Sequence, residues 1–319
     1  MDNQNKPLLI VILGPTACGK TALAIRTAQA FNGEVVSGDS MQVYRRMDIG
    51  TAKVTAEEAQ GIPHWLIDIR EPDEGYSVAD FRAEAISCID GIINRGHQPI
   101  VCGGTGLYID SLLNEYHFSS SGGVDKEIRE KLRKELDLNG APALHDRLRQ
   151  IDPQASERIH PNDSHRLIRA LEVWYSEGKS ISSSWEEPGM ASPYRPLLIG
   201  LTADREKLYR RIEKRVDDML ERGLLDEVSS LLHEGVSREA VSMQGLGYRQ
   251  TAAYLQGECT FEEAVSVLKR DTRRFAKRQL TWFKRDERIN WFNVDHYSDE
   301  NELFGDVKAL IGQTLKNGE

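Results

Sequence analysis

Gly14-Pro15-Thr16-Ala17-Cys18-Gly19-Lys20-Thr21 decides the fold of this chain. A continuous apolar run, Leu8–Leu13, leads into it, and helical spacing over Thr21–Phe31 leads out of it. The octapeptide satisfies GxxxxGK[ST] at every fixed position, and each part has a physical purpose. The glycines let backbone amides turn inward around phosphate oxygens. The helix that follows directs its positive end at the anion. Lys20 adds a mobile cation, and the Thr21 hydroxyl can ligate Mg²⁺. Residues 14–21 therefore predict a polyphosphate site, without saying whose phosphates they are.

Further short apolar runs follow at Glu34–Ser37, Trp65–Ile69, Pro99–Cys102 and Pro196–Leu201. Strands buried on both faces read as continuous and not alternating, so five such runs predict a parallel sheet flanked by helices. The pattern stops between Tyr116 and Tyr194. Ser119–Gly123 reads as a small-residue linker, and only helical periodicities come after it: Ile128, Leu132 and Leu136, then Leu144, Leu148 and Ile151, then Leu167, Leu171, Val173 and Trp174. Asp163 is placed to cap the last of these. Ser180–Ser184 and Pro188–Pro196 read as loop. From Asp204 helices dominate again, with Gly223 as a C-cap. The expected fold is α/β: a P-loop NTPase-like parallel sheet flanked by helices, with a helical insertion domain. Residues 1–115 form the first part of the core and 116–194 the insertion. Residues 195–319 complete the core and carry basic C-terminal helices.

Composition narrows the function. The chain has 319 residues and a net charge of −9, so it is not basic all over. Its longest apolar run is far short of the ~20 residues that cross a bilayer. The polar Met1–Lys6 gives no sign of a signal peptide. Cys18, Cys88, Cys102 and Cys259 have no metal spacing and read as reduced thiols, which points to a cytoplasmic protein. Positive charge is nevertheless concentrated locally. Between Lys269 and Arg288, nine Lys/Arg stand against Asp271, Asp286 and Glu287, leaving +6 within twenty residues. Arg270, Arg274, Lys277, Arg278 and Arg285 fall near one helical face, interleaved with Phe275, Leu280, Trp282 and Phe283. Cations in a stripe suit phosphates and planar groups suit unstacked bases. Phe275 and Phe283 read as core aromatics. Arg166 and Arg169 make a second cationic patch, and His165 beside them reads as a surface residue.

Two more loops should gather with the phosphate loop at the carboxyl edge of the sheet. Asp39-Ser40-Met41-Gln42-Val43-Tyr44 follows the second run, and Asp39 fits a general base, a Mg²⁺ ligand or a helix N-cap. Gly103-Gly104-Thr105-Gly106-Leu107-Tyr108 follows the fourth, and fits either close approach to a ligand or a plain strand-to-helix turn. Asp68 fits a salt-bridged or capping acid better than a Walker-B-like one. Arg211 and Arg215 share one helix face, and spacing alone makes Arg215 a solvated surface residue.

GPTACGKT, DSMQVY, GTAK at Gly50–Lys53 and GGTGLY together resemble the bacterial tRNA dimethylallyltransferase family. His160-Pro161-Asn162-Asp163, Arg166–Glu172, Gly245-Leu246-Gly247-Tyr248-Arg249 and Lys277–Phe283 extend the resemblance over about Pro7 to Phe292. Cys18 departs from the family's usual Ser, and Val54 from its usual Pro. No zinc-finger pattern follows, which points to the shorter bacterial form. The resemblance implies transfer of a dimethylallyl group from dimethylallyl diphosphate to the exocyclic amine of an adenine. That adenine lies just 3′ of the anticodon of tRNAs reading codons that begin with U. Gly14, Pro15, Thr16, Ala17, Cys18, Gly19, Lys20 and Thr21 would hold the diphosphate, with Mg²⁺ on Thr21 and Arg215 on the opposite side.

By the same resemblance Asp39 would be the base and Thr105 would line the channel for a flipped adenine. Ser40, Met41 and Gln42 would contact the tRNA beside it. So would Asp163, Ser164, His165, Arg166, Leu167 and Arg129 on the insertion, and Gly247, Tyr248, Arg249, Arg274, Lys277 and Arg278. The expected partners are the tRNA anticodon stem-loop and dimethylallyl diphosphate, with no membrane. The lack of a dimerisation heptad points to a monomer. A small-metabolite P-loop kinase would leave the insertion and the basic segment unexplained. A prenyltransferase of free adenine nucleotides would not need an RNA-sized surface. A non-enzymatic RNA-binding protein would not need Lys20 and Asp39.

Overall fold

The computed structural model describes residues 6–114, 126–185 and 192–316. In chain order its regular elements are β1 (Leu8–Leu13), α1 (Lys20–Ala30), β2 (Gly33–Ser37), α2 (Ala56–Ala59), β3 (His64–Trp65), α3 (Val78–Asn94), β4 (Gln98–Gly103), α4 (Gly106–Leu113), α5 (Lys126–Ile151), α6 (Pro153–Arg158), α7 (Ser164–Glu177), β5 (Arg195–Thr202), α8 (Arg205–Glu221), α9 (Leu224–His233), α10 (Tyr248–Leu255), α11 (Phe261–Phe283), β6 (Asn290–Asn293) and α12 (Glu300–Lys316). The chain divides into two compact units, one of Met1–Leu113 with Ser192–Glu319 and one of Asn114–Ala191.

The first unit is an α/β layer structure. Its six strands run parallel in the order β3-β2-β4-β1-β5-β6. β1 is fully buried because its side chains serve two cores. Leu8, Ile10 and Ile12 pack with Leu23, Ala24 and Ala28 of α1, Leu208 and Ile212 of α8, and Val307 and Ile311 of α12. Leu9, Val11 and Leu13 pack on the other face with Phe81, Ala85 and Ile89 of α3 and with Ile109 and Leu112 of α4. A third core joins Val43, Tyr44 and Met47 to Leu224, Val228, Tyr248 and Leu268, and so builds a lobe of α8–α11 around the loop after β2.

Two of the six strands differ from the sequence reading in kind. Trp65–Ile69 is not a strand: only His64 and Trp65 pair with β2. Leu66 and Asp68 take left-handed φ of 63° and 57°, which turns the chain out of the sheet. The amides of Asp68 and Ile69 bond instead to the carbonyls of Gln42 and Val43 in the loop after β2. The sixth strand, Asn290–Asn293, is the other difference. It is a half-polar edge strand without an apolar run. Gly223, with φ of 97°, follows the end of α8 and also starts α9.

The second unit is helical. Leu132, Leu144, Leu148, Leu167 and Leu171 form its core. α5 breaks at Gly140, and Asp163 caps α7 by accepting the Arg166 N–H at 3.2 Å. Ile181–Trp185 is a 3₁₀ turn where loop was expected. The Ser119–Gly123 linker and residues 188–191 of the second expected loop lie outside the described residues, and Arg195 and Pro196 belong to β5.

Candidate active site

Parallel strands place their following loops at one edge, and here those loops line a cavity of about 870 Å³ within the first unit. The phosphate loop forms one wall. Gly14 has φ of 142°, and a Cβ there would lie 2.4 Å from the Leu201 carbonyl oxygen, so only glycine lets the loop pass β5. α1 then starts with no side-chain cap and no acid in its first turn, which leaves its positive end for an anion. The Lys20 ammonium donates to the Pro15 carbonyl at 2.7 Å. Burial lowers its pKa, and the charge of Asp39 opposes that effect. Thr21 is exposed on the same wall. Cys18, buried within the loop, and the half-buried Cys102 of β4 are thiols whose pKa desolvation pushes up to about 11, which keeps them un-ionised.

Asp39 lines the cavity at the end of β2. No helix follows it, which removes the N-cap alternative. Its Oδ1 accepts the Met41 N–H at 2.9 Å, an Asx turn that fixes the carboxylate and leaves Oδ2 for a ligand. The neighbouring Ser40 N–H donates to Thr105 Oγ1 at 3.1 Å, and the Thr105 N–H donates to the Gly38 carbonyl at 3.2 Å. The loops after β2 and β4 are thereby joined. Gln42 accepts from the Ser37 hydroxyl at 2.8 Å and also faces the cavity.

α8 supplies a further wall. Arg215 lines the cavity and is not a solvated surface residue: burial lowers its pKa, while Asp39 raises it. Ile212, Val216 and Met219 of the same helix, with Met41, Leu246 and Phe275, give the cavity an apolar portion.

Other expected residues take structural positions. Tyr248 touches the cavity, but it is fully buried and its hydroxyl donates to Glu227 at 2.6 Å. Glu227 also accepts the N–H groups of Asp48, Ile49 and Gly50, and so pins the turn that leads into GTAK together with its first residue. Nothing in the sequence marked Glu227. Lys53 is buried between Asp48 at 2.7 Å and Asp68 at 2.5 Å, which makes Asp68 a salt-bridged acid. Gly247 starts α10 and is buried, and Arg249 is exposed but pairs with Asp271 at 3.2 Å. In the insertion, Leu167 is core and Arg129 is turned onto the buried Glu172 at 2.7 Å. Arg169 joins that acid at 3.2 Å, while Ser164, His165 and Arg166 form the first turn of α7 with His165 and Arg166 exposed.

The basic segment is less uniform than its sequence. Lys269 pairs with Asp217 at 2.6 Å, Arg273 pairs with Glu213, and Arg270 pairs with Asp271 at 3.1 Å. Arg274, Lys277 and Arg278 are exposed, and the nearest acid to Arg274 is Asp271 at 4.0 Å. Arg278 lies over the Phe275 ring at 5.7 Å, and both line the cavity. Phe283 is core as expected, whereas Phe275 is half-buried at the site.

Among the described residues no cluster of three His, Cys, Asp or Glu side chains could hold a metal ion. No helix among them is long and apolar enough to cross a membrane.

The sequence profile of the IPP transferase family matches residues 42–286. A tRNA dimethylallyltransferase of Acetivibrio thermocellus is 50% identical over 98% of each chain. The solved full-length tRNA isopentenylpyrophosphate transferase of Bacillus halodurans is 44% identical, covers 98% of each chain and superposes with a TM-score of 0.74. A eukaryotic dimethylallyltransferase solved acting on tRNA is 31% identical, with 98% of this chain and 80% of that one covered and a TM-score of 0.81.

Proposed function

The chain belongs to the IPP transferase family, and from that premise we propose that it is a tRNA dimethylallyltransferase. It transfers the dimethylallyl group of dimethylallyl diphosphate to the exocyclic amine of the adenine just 3′ of the anticodon, in tRNAs reading codons that begin with U. One observation carries the reading: a single cavity joins an uncapped phosphate loop, a carboxylate fixed at one oxygen, and an apolar wall.

The diphosphate sits on the phosphate loop as a leaving group. When the allylic C–O bond breaks, its negative charge is met by Lys20, Arg215 and the first-turn amides of α1. The five-carbon group rests on the apolar residues of α8 and the Met41 loop. The adenine amine attacks the freed allylic carbon and a C–N bond forms. Its proton passes to Asp39, whose free Oδ2 is the oxygen available to take it.

Thr21 lines the cavity with one hydroxyl, and among the described residues no group of acids forms a metal cage around it. That fits Mg²⁺, which keeps several waters and takes its other ligands from substrate phosphates. When bound there, Mg²⁺ supplies further neutralisation of the departing diphosphate. The exposed cations Arg274, Lys277 and Arg278 suit the phosphates of the anticodon stem-loop. The protein acts as a cytoplasmic monomer.

Incubation with labelled dimethylallyl diphosphate, Mg²⁺ and either tRNA or AMP tests the assignment. Label should appear only in tRNA, and digestion should place it on the adenine next to the anticodon. Labelled AMP would make the protein a nucleotide prenyltransferase. Conversion of added ATP to ADP would make it a kinase.

A further inference from the structure

Gln279 is a buried polar side chain for which the chemistry above has no use. It follows the exposed Lys277 and Arg278 in α11, yet only 6% of it is accessible. Its Oε1 accepts the Thr16 N–H of the phosphate loop at 3.0 Å, and its Nε2 donates to the Gly104 carbonyl at 2.9 Å. One loop offers a donor and the other an acceptor, so an amide satisfies both where a carboxylate would set two acceptors against each other. The fit is close: a Cβ on Gly104 would lie 2.2 Å from Nε2. Gly104 precedes Thr105, which holds the Ser40 N–H, and Ser40 follows Asp39. The bonds of Gln279 thus lead on one side to the loop that grips the leaving group and on the other to the loop that carries the base.

We infer that Gln279 is a positioning residue for the transfer. Its amide fixes the separation of the phosphate loop from the Gly104–Thr105 loop, and through Thr105 and Ser40 it fixes where Asp39 stands relative to the departing diphosphate. The inference rests on the proposed prenyl transfer. Its size follows from the need for reacting atoms to approach to about 3–3.5 Å, where a misplacement of about 1 Å costs about 100-fold.

The test is single-turnover transfer at saturating tRNA and dimethylallyl diphosphate, with rates expressed per titrated active site. Gln279→Leu and Gln279→Glu should each lose about 100-fold in that rate, with the Kd of each substrate within about threefold of wild type. Gly104→Ala should slow the wild-type chain comparably, because its methyl displaces the amide. It should add little in a Gln279→Ala background, where nothing is displaced. The φ of Gly104 lies outside the left-handed region, so the alanine is resisted by the amide alone. If Gln279→Leu does not fold, the Gly104→Ala pair decides. Fewer active sites, each working at the wild-type rate, would overturn the inference, and so would a loss wholly accounted for by weaker substrate binding. If wild type itself leaves tRNA unmodified, the proposed function falls and takes the inference with it. If wild type is active and the variants match it, only the inference falls.

Discussion

Removing the charges of Arg274, Lys277 and Arg278 together should change the salt dependence of tRNA binding, and removing paired cations nearby should not. α11 separates the two groups within one helix. The Arg274 side chain is 65% exposed and its nearest acid is 4.0 Å away. Lys269 is already held by Asp217 at 2.6 Å, and Arg273 by Glu213. Each phosphate contact contributes about 0.7 to the slope of log K against log salt on single strands and about 0.9 on duplex. Three lost contacts should therefore shallow the slope by about 2 to 3. Between 50 and 200 mM salt the triple alanine variant should then lose about 20- to 40-fold less affinity than wild type. The control removes Lys269 with Asp217 and Arg273 with Glu213, which leaves net charge unchanged. Fluorescence anisotropy with a labelled anticodon stem-loop reads both slopes. Equal slopes for the triple variant and the control would refute the assignment of this face to tRNA.

The other predictions concern chemistry and stability. Asp39→Asn keeps the oxygen that accepts the Met41 N–H but cannot take up a proton, so single-turnover rates should fall ~100- to 10,000-fold with tRNA still bound; a near wild-type rate would exclude Asp39 as the base. Lys20→Ala should cost ~100-fold or more in turnover, and a change confined to tRNA affinity would contradict its place on the diphosphate. Glu34 is buried under Arg95, His97 and Trp65, and these hydrogen bonds, that of Arg95 foremost, hold its carboxyl down to about 2. Its folded pKa is depressed, so its contribution to stability is complete above the unfolded value near 4.5 and is lost as pH falls toward about 2. Denaturant midpoints of wild type and Glu34→Gln should therefore converge across that window, and a constant gap would show that the carboxylate's charge is not what Arg95 stabilises.

The sheet was legible where burial is two-sided. Every residue of Leu8–Leu13 is buried, so the run had to be continuously apolar and announced itself. Asn290–Asn293 was not legible because it lies at the sheet's edge, half exposed, and needs no apolar run to pair with β5. Trp65–Ile69 misled in the opposite sense. It is apolar because Leu66 is buried and Ile69 packs against two cores, but burial of side chains does not oblige a backbone to join a ladder. Its amides found the loop after β2 instead.

The site divides along a related line. The phosphate loop is readable because contiguous residues make it, and their spacing alone sets the geometry of strand, turn and helix. Asp39 was readable as a candidate for the same reason, but its N-cap alternative falls away only once no helix is seen to follow it. Arg215, Glu227 and Gln279 depend on partners far away in the chain. Gln279 reaches back 263 residues to Thr16 and 175 to Gly104, and Glu227 reaches 178 to Ile49. A single glutamine within a basic, aromatic helix carries no periodicity that could reveal this, since its meaning lies in the two loops that meet it. The parts of the site made within one loop were therefore legible, and the ties that set one loop against another were not. The proposed transfer depends on both, because a gripped leaving group and an aimed base would react only at a fixed separation.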